Sequence, residues 1–458
     1  MKIKQLTLLA FVVFIIFRLV SIGLYPLMDT TEARYGEIAR IMVDSNNWLT
    51  PQFDYNLPFW GKPPMHTWAS ALSIGLLDDS EFAIRLPHLI TGLMTLLVIF
   101  LFAKKLGISA LVTTFILLTS LGFYVASGMV MTDSLLTLSM TLAMVGFYLG
   151  WAGNKNWSYL GFVGIGIGLL TKGPIIIVLV GLSILPWLVL NFGLIQGFKA
   201  LLNKVPIFSG LSISLLIAAP WYFMAEQATP GFIDYFIIGE HWSRFVESGW
   251  EGDLYGTAHD EPRGIIWLYW LAVAFPWSFV LLYKLFKAKL NSTTTSPLYT
   301  GDKQLVSFLG FWLVSPMILF TFAGNILPIY VLPGLPALAI ILSMWLKPFN
   351  KSIVLLGSIT PALLVIALLF AQEDFKNRSD KWLLSELDDS TPIYYLDKRS
   401  FSGRYYSQGN AMLFNANTAE KKYYLVINLN HYQSAKRLAE YCESIKNNNR
   451  KIVLLCNR

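Results

Sequence analysis

WSYLGFVGIGIGLLTKGPIIIVLVGLSILPWLVL, residues 157–190, contains one charged side chain, Lys172. A membrane-crossing helix needs ~20 apolar residues, so this run is too long for one span. Gly173-Pro174 therefore predicts a turn between two spans, with Lys172 at the water interface. A lysine at mid-membrane costs roughly 2.5–3.5 kcal/mol, and the interface removes most of that cost. Two readings of Lys172 stay open. It snorkels from a helix end, or it holds an anion, such as a phosphate, at the bilayer surface.

The rest of the chain has the same character. Its 458 residues are 55% hydrophobic and 14% charged, with a mean hydropathy of +0.54, against ~25% charged in soluble domains. The expected fold class is an α-helical polytopic membrane protein. The net charge of +7 lies on lysines scattered over short loops. Membrane topology explains that pattern, and nucleic-acid binding does not. The apolar stretch after Met1-Lys2-Ile3-Lys4 lacks a small-residue cleavage site and reads as an uncleaved first span.

Eleven spans are expected, at 6–25, 85–103, 108–126, 134–151, 157–171, 174–190, 206–224, 264–284, 305–322, 327–346 and 352–371. Lys104, Lys105, Lys155, Lys199, Lys204 and Lys284 fall on one side, which the positive-inside rule assigns to the cytoplasm. The N-terminus is then cytoplasmic and the C-terminal tail external. The outer side has long loops at 26–84 and 225–263, with acids and bases mixed among Trp and Tyr. The transmembrane domain is 1–371. Residues 372–458 read as a small α/β domain, with strands in PIYYL, GRYYS, YYLVINL and KIVLLC and a helix in SAKRLAEYCESIK. Cys442 and Cys456 lie there, either as a disulfide or as separate buried thiols. NSTTTSP, 291–297, reads as a cytoplasmic loop.

In the first outer loop, Asp29 to Met42 predicts an amphipathic helix with Tyr35, Ile38, Ala39 and Met42 on one stripe. Asp29 is a candidate N-cap, with Glu32 completing a capping box. Alternatively Asp29 or Glu32 faces a surface cavity as a general base, with Arg34 near an anion. At ~100° per residue, Glu32 and Arg34 point about 200° apart. His66, Arg85, His88, His259 and Arg263 are secondary candidates, read first as interfacial or helix-end anchors.

The string Glu-Ala-Arg-Tyr followed by Glu-Ile-Ala-Arg, then a Lys-Pro-Pro turn and a Trp, resembles the GT-C glycosyltransferases. These are the protein O-mannosyltransferases and, more closely, the bacterial lipid A aminoarabinose transferases. The resemblance continues through MVMTDSLLT (129–137), LLTKGP (169–174), GEHWSRF (239–245) and ILPIYVLPGLPALA (326–339), in the family's order. It implies transfer of a sugar from a polyprenyl-phosphate carrier to a lipid A, other glycan or protein acceptor, at the outer face of a bacterial inner membrane. By resemblance, Arg34, Lys62, Lys172 and Arg244 meet the donor phosphate. Asp29, Glu32 and Asp133 are the catalytic acids, and Tyr330 is an active-site tyrosine. His241 falls at a metal-ligand position, with Glu240 either orienting it or solvated. Two departures stand out. Thr31 occupies the position of an acid, leaving Asp29 as the nearest carboxylate before Glu32. Gly61 occupies the position of a Glu before Lys62, which argues against a divalent metal and against aminoarabinose as the sugar.

The residue types suit the chemistry. A departing phosphate monoester needs its charge stabilised, which cations at a low-dielectric surface provide. The acceptor hydroxyl needs a base, and a carboxylate serves. Two other classes compete. A lipid-linked sugar flippase or transporter predicts inverted repeats and mid-span charges; apart from Arg18, the intrusive charges cluster at one surface. A non-catalytic scaffold does not need Asp133, Lys62 and Lys172 on one face.

Overall fold

Helices Thr132–Ala152 and Trp157–Lys172 form an antiparallel hairpin whose backbones nearly touch. A Cβ on Gly146 would lie 2.4 Å from Gly161 N, and one on Gly164 would lie 2.6 Å from Ser139 O. Small residues permit such an approach in a membrane, where van der Waals packing and not water exclusion drives helix pairing. The hairpin brings Asp133, at the start of one helix, to Lys172, at the end of the other. Gly173 then turns the chain at φ +74°, a conformation that favours glycine, and Pro174 leads into helix Ile175–Phe192.

This computed structural model describes all residues except 1, 248, 257–260, 292–301, 347, 389, 418–419, 433–440 and 458. Among the described residues eight helices are long and apolar enough to cross a membrane, or nine if a bent pair counts as one span. The pair is Ile266–Val273 and Trp277–Leu290, meeting at 107° where 264–284 was expected to be one span. Pro276 at the break cannot donate its nitrogen to a continuous helix. Two other expected spans are helical but short. Trp157–Lys172 has 16 residues, and 108–126 divides into Ala110–Leu118 and Leu121–Ala126.

The core runs along the helices, with Trp277 and Trp312 fully buried. Trp277 donates to Thr119 Oγ1 and Trp312 to the Pro333 carbonyl, so each indole buries its polar edge satisfied. Above the helix ends, the first outer loop contributes helices Thr31–Asp44 and Met65–Leu76 and a short hairpin. The stripe Tyr35, Ile38, Ala39 and Met42 is buried as its spacing predicts.

The C-terminal domain carries a five-stranded mixed sheet in the order 411–413, 393–395, 422–428, 451–457, 442–447. Two expectations fail here. GRYYS lies in helix Phe401–Tyr406, because Ser400 Oγ accepts from Gly403 N and caps it; capping outweighs the strand preference of the tyrosines. Cys442–Asn447 is a strand and not the end of a helix. The Asn-rich turn behind it, with Asn448 Oδ1 accepting from Arg450 N and Lys451 N, folds it back on 451–457. Cys442 sits opposite Cys456 in that pairing, and the two form a disulfide. The first part of the expected helix, from Ser434, lies outside the described residues, as do His259 and most of the NSTTTSP loop.

The domain docks on the first outer loop. Ser402 donates through its backbone N–H and its hydroxyl to the Asp29 carboxylate. Tyr406 accepts from Leu27 N at 2.7 Å and donates to Glu81. Arg399 and Arg404 both pair with Asp54.

Candidate active site

The helix ends that carry Asp133 and Lys172, the 26–84 loop and residues 240–245 enclose a cavity of about 130 Å³. Of the residues singled out in the sequence, Arg34, Lys62, Asp133, Lys172, Glu240, His241, Arg244 and Tyr330 line it. Asp29 and Glu32 do not.

The lysine ammonium of Lys172 lies 2.7 Å from Asp133 Oδ1 and 4.2 Å from the Tyr330 ring centroid. It is buried at 7% exposure, facing the cavity and not snorkelling to open water. Among the described residues the second Asp133 oxygen has only a weak contact, Thr132 Oγ1 at 3.3 Å. Across the cavity, Glu240 receives Lys62 and Arg244, and Arg244 also reaches Asp253 at 3.3 Å. Burial pushes the Glu240 carboxyl up, but Lys62 and Arg244 outweigh it and hold it below its ordinary value. Burial pushes the Lys62 ammonium down; Glu240 opposes this, and Arg244 and Lys172 add to it.

Arg34 differs from the other cations. Among the described residues it forms no ion pair, and its Nε is buried without a partner. One terminal nitrogen donates to the Tyr255 carbonyl at 2.8 Å, and the guanidinium sits 5.2 Å from the Tyr35 ring and 5.9 Å from the Phe401 ring. Asn325 donates to the Arg244 carbonyl at 2.7 Å, while its Oδ1 is buried without a partner. Among the described residues the cavity walls therefore include a buried donor, Arg34 Nε, and a buried acceptor, Asn325 Oδ1, that lack partners. A buried polar group in that state costs ~1–3 kcal/mol, which a ligand with complementary groups relieves.

The first-loop acids take other roles. Glu32 pairs bidentately with Arg85 at 2.8 and 2.7 Å and accepts from Val130 N. Arg85 also binds the carbonyls of Ile22, Tyr25 and Pro26, so this buried pair staples the first span to the loop. Asp29 neither caps the helix nor lines the cavity. The helix starts at Thr31, its N-cap position is Thr30, and no side chain caps it. The reason is competition: Ser402 of the C-terminal domain offers Asp29 two donors. As helical spacing requires, Glu32 points inward while Arg34 points to the cavity. His66 packs edge-on against Tyr35 at 4.7 Å, and burial pushes its imidazole down to about 3. His88 bonds Ser70 at 3.0 Å.

The metal position does not fit a metal. His241 Nδ1 lies 2.7 Å from the Phe236 carbonyl and Nε2 lies 3.0 Å from the Lys172 carbonyl, so carbonyl oxygens already stand where an ion would have to approach either ring nitrogen. Gly61 offers no ligand side chain, and a Cβ there would meet Phe59 and Tyr255. Among the described residues no group of three or more His, Cys, Asp or Glu is placed to hold an ion.

Sequence reasoning missed Thr31, Tyr35, Asp253, Tyr255, Asn325 and Phe401. Thr31 lines the cavity at the position where an acid was expected. Asn325 is an uncharged residue just before the motif 326–339, and Phe401 belongs to a domain the family motifs do not reach.

The fold is similar to two crystal structures of ArnT from Cupriavidus metallidurans, one apo and one bound to undecaprenyl phosphate. Each superimposes with a TM-score of 0.79 at 18% identity, over 99% of this chain and 98% of the other. In sequence, the chain is 29% identical over 355 residues to an undecaprenyl phosphate-alpha-4-amino-4-deoxy-L-arabinose arabinosyl transferase of Erwinia tasmaniensis, covering 75% of this chain. It is 29% identical over 348 residues to the same transferase of Edwardsiella ictaluri, covering 73%. The matches span 60% and 58% of those relatives' own lengths. The family model for dolichyl-phosphate-mannose-protein mannosyltransferases matches residues 1–236. That stretch is more than half of the chain and contains the first loop, Asp133 and Lys172: the chain belongs to this mannosyltransferase family.

Proposed function

We propose that the chain is a GT-C glycosyltransferase that moves a sugar from a polyprenyl-phosphate carrier to a lipid or protein acceptor, lipid A among them. Transfer occurs at the outer face of a bacterial inner membrane, by inverting displacement. The observation that carries this reading is the cavity itself, where four cations and two carboxylates meet at the outer helix ends. A phosphodiester-linked sugar matches that set: anionic where Arg34 is unpaired, and hydroxylated where Asn325 Oδ1 lacks a donor.

The acceptor oxygen attacks the anomeric carbon as the bond from that carbon to the phosphate oxygen breaks. The sugar inverts, and the electron pair leaves with the polyprenyl phosphate. Asp133 takes the acceptor's proton, because among the described residues its second oxygen meets only the Thr132 hydroxyl, at 3.3 Å, while both Glu240 oxygens are engaged by Lys62 and Arg244. Thr31 and Asp29 cannot serve, one lacking a carboxylate and the other lying against Ser402. Protonating Asp133 neutralises the partner of Lys172, so the ammonium turns its full field on the phosphate as negative charge develops there. Proton transfer and leaving-group stabilisation are thereby coupled, the interaction growing in the transition state. Arg34, Lys62 and Arg244 hold the phosphate throughout, Arg through its fork and Lys as a point charge.

Mass spectrometry of lipid A and surface glycans from cells with and without the protein tests the reading. One glycan or lipid should lose a single sugar in its absence, and identical spectra would contradict the transfer. Purified protein with a polyprenyl-phosphate sugar should release the free carrier in step with acceptor modification.

A further inference from the structure

A second cavity, of about 220 Å³, lies at the opposite ends of the helices from the active site. Trp151, Phe162, Gly181, Leu185, Val205 and Phe308 are among its walls, which are almost wholly apolar. Leu185 on its rim is 44% exposed, and a Cβ on Gly181 would meet nothing within 4 Å. The slot thus opens sideways to the acyl region and is not filled by the protein. Helix Leu194–Lys204 contributes Leu201 to it. Its residues Leu194, Ile195, Phe198 and Leu202 are exposed, as in a helix lying in the membrane interface.

At the mouth, Lys204 Nζ sits 4.6 Å from the Trp151 ring centroid and, among the described residues, hydrogen-bonds only the Trp151 carbonyl, at 3.5 Å. The turns at this end, 104–109, 153–156 and 193–206, hold five lysines and no carboxylate. Asp302, which starts the helix that lends Phe308 to the slot, is engaged at the N-cap of helix Lys303–Thr321. A dry slot one chain wide beneath a one-sign cationic rim is complementary to a lipid with an apolar tail and a phosphate head.

We propose that this slot binds an anionic phospholipid of the leaflet opposite the active site, with one acyl chain against Gly181 and the phosphate at Lys204. The site is independent of the transferase reading, since none of its residues lines the catalytic cavity. The lipid would pin the interfacial helix and the hairpin 132–172, at whose far end Asp133 and Lys172 meet.

The test is native mass spectrometry of the full chain released from nanodiscs of phosphatidylglycerol and phosphatidylethanolamine in equal amounts, with polyprenyl phosphate added in one arm. Wild type should retain phosphatidylglycerol preferentially. Lys204→Ala should lower that preference about fivefold, the scale of one basic side chain at a charged surface. Gly181→Phe should lose the bound lipid while unfolding at the wild-type temperature. Equal retention of the two phospholipids by wild type would overturn the proposal. So would an unchanged preference in Lys204→Ala, or displacement of phosphatidylglycerol from the slot by polyprenyl phosphate.

Discussion

Lys172 Nζ and Asp133 Oδ1 stand 2.7 Å apart at the outer ends of two helices that touch backbone to backbone. The glycines that permit this contact lie deep in the membrane, whereas the pair itself faces the cavity. Breaking a buried ion pair on one side costs roughly 3–5 kcal/mol, so the pair locks the hairpin's outer end. In the proposed mechanism it also links base and leaving-group cation.

Lys172→Ala should therefore remove two functions at once: a phosphate contact and the ion-pair partner that positions the Asp133 carboxylate. Lys62→Ala removes a contact only. A charge-assisted contact contributes ~1.5–3 kcal/mol, so kcat/KM for the donor should fall about 10- to 150-fold in Lys62→Ala and further in Lys172→Ala. Steady-state kinetics on both purified variants checks the order.

Arg34 tests fork geometry against charge. Arg34→Lys keeps a cation but loses the planar donors. The donor KM should rise about tenfold, the equivalent of the ~1.4 kcal/mol between a fork and a point charge at such a site. Phe401→Ala should move KM in the same direction by loosening the stack on Arg34. An unchanged KM in Arg34→Lys would remove the guanidinium from phosphate recognition.

Asp29→Asn should turn over within about twofold of wild type, because its carboxylate holds Ser402 and not the acceptor. Asp29→Ala leaves two Ser402 donors unpaired and should destabilise the domain contact by ~1–3 kcal/mol, readable as earlier proteolysis of the C-terminal domain. Burial raises the Asp29 pKa above its ordinary 3.8, with Ser402 and Lys451 opposing and Asp380 adding. The folded state then binds the proton more tightly than the unfolded state. Stability from this group is greatest at low pH and falls as pH rises from 3.8 through the raised value. Asp29→Asn should flatten that slope in thermal unfolding followed against pH.

The C-terminal domain and the cavity share one side, since Ser402 touches Asp29 directly after the first span. Helix Lys351–Phe370 leads to that domain from the lysine-rich side. By the positive-inside rule that side is cytoplasmic, so a reporter active only in the cytoplasm should stay silent when fused near Asn457. An active reporter would invert the orientation.

Apolar runs and loop lysines made the helices legible, since each span must satisfy its own backbone in lipid. The cavity cations and Asp133 were legible because charges stand out against an apolar background. Asp29 was not, because its partner Ser402 lies 373 residues away, and no local pattern distinguishes a cap from a domain contact. Asn325 and Tyr255 escaped for a similar reason: Asn325 matters through an amide oxygen left unpaired among the described residues after folding, and Tyr255 through a main-chain carbonyl that meets Arg34. The strand at 442–447 was hidden by the helix-like run before it and fixed by pairing across the Asn-rich turn.

The most direct test of the central claim is turnover of Asp133→Asn with a polyprenyl-phosphate sugar, beside Asp29→Asn, at matched folding. Asparagine keeps the shape but cannot take the acceptor's proton. Transfer by Asp133→Asn should fall by the ~10²–10⁴ of a lost general base, while Asp29→Asn stays near wild type. Near-normal turnover in Asp133→Asn together with loss in Asp29→Asn would contradict the account.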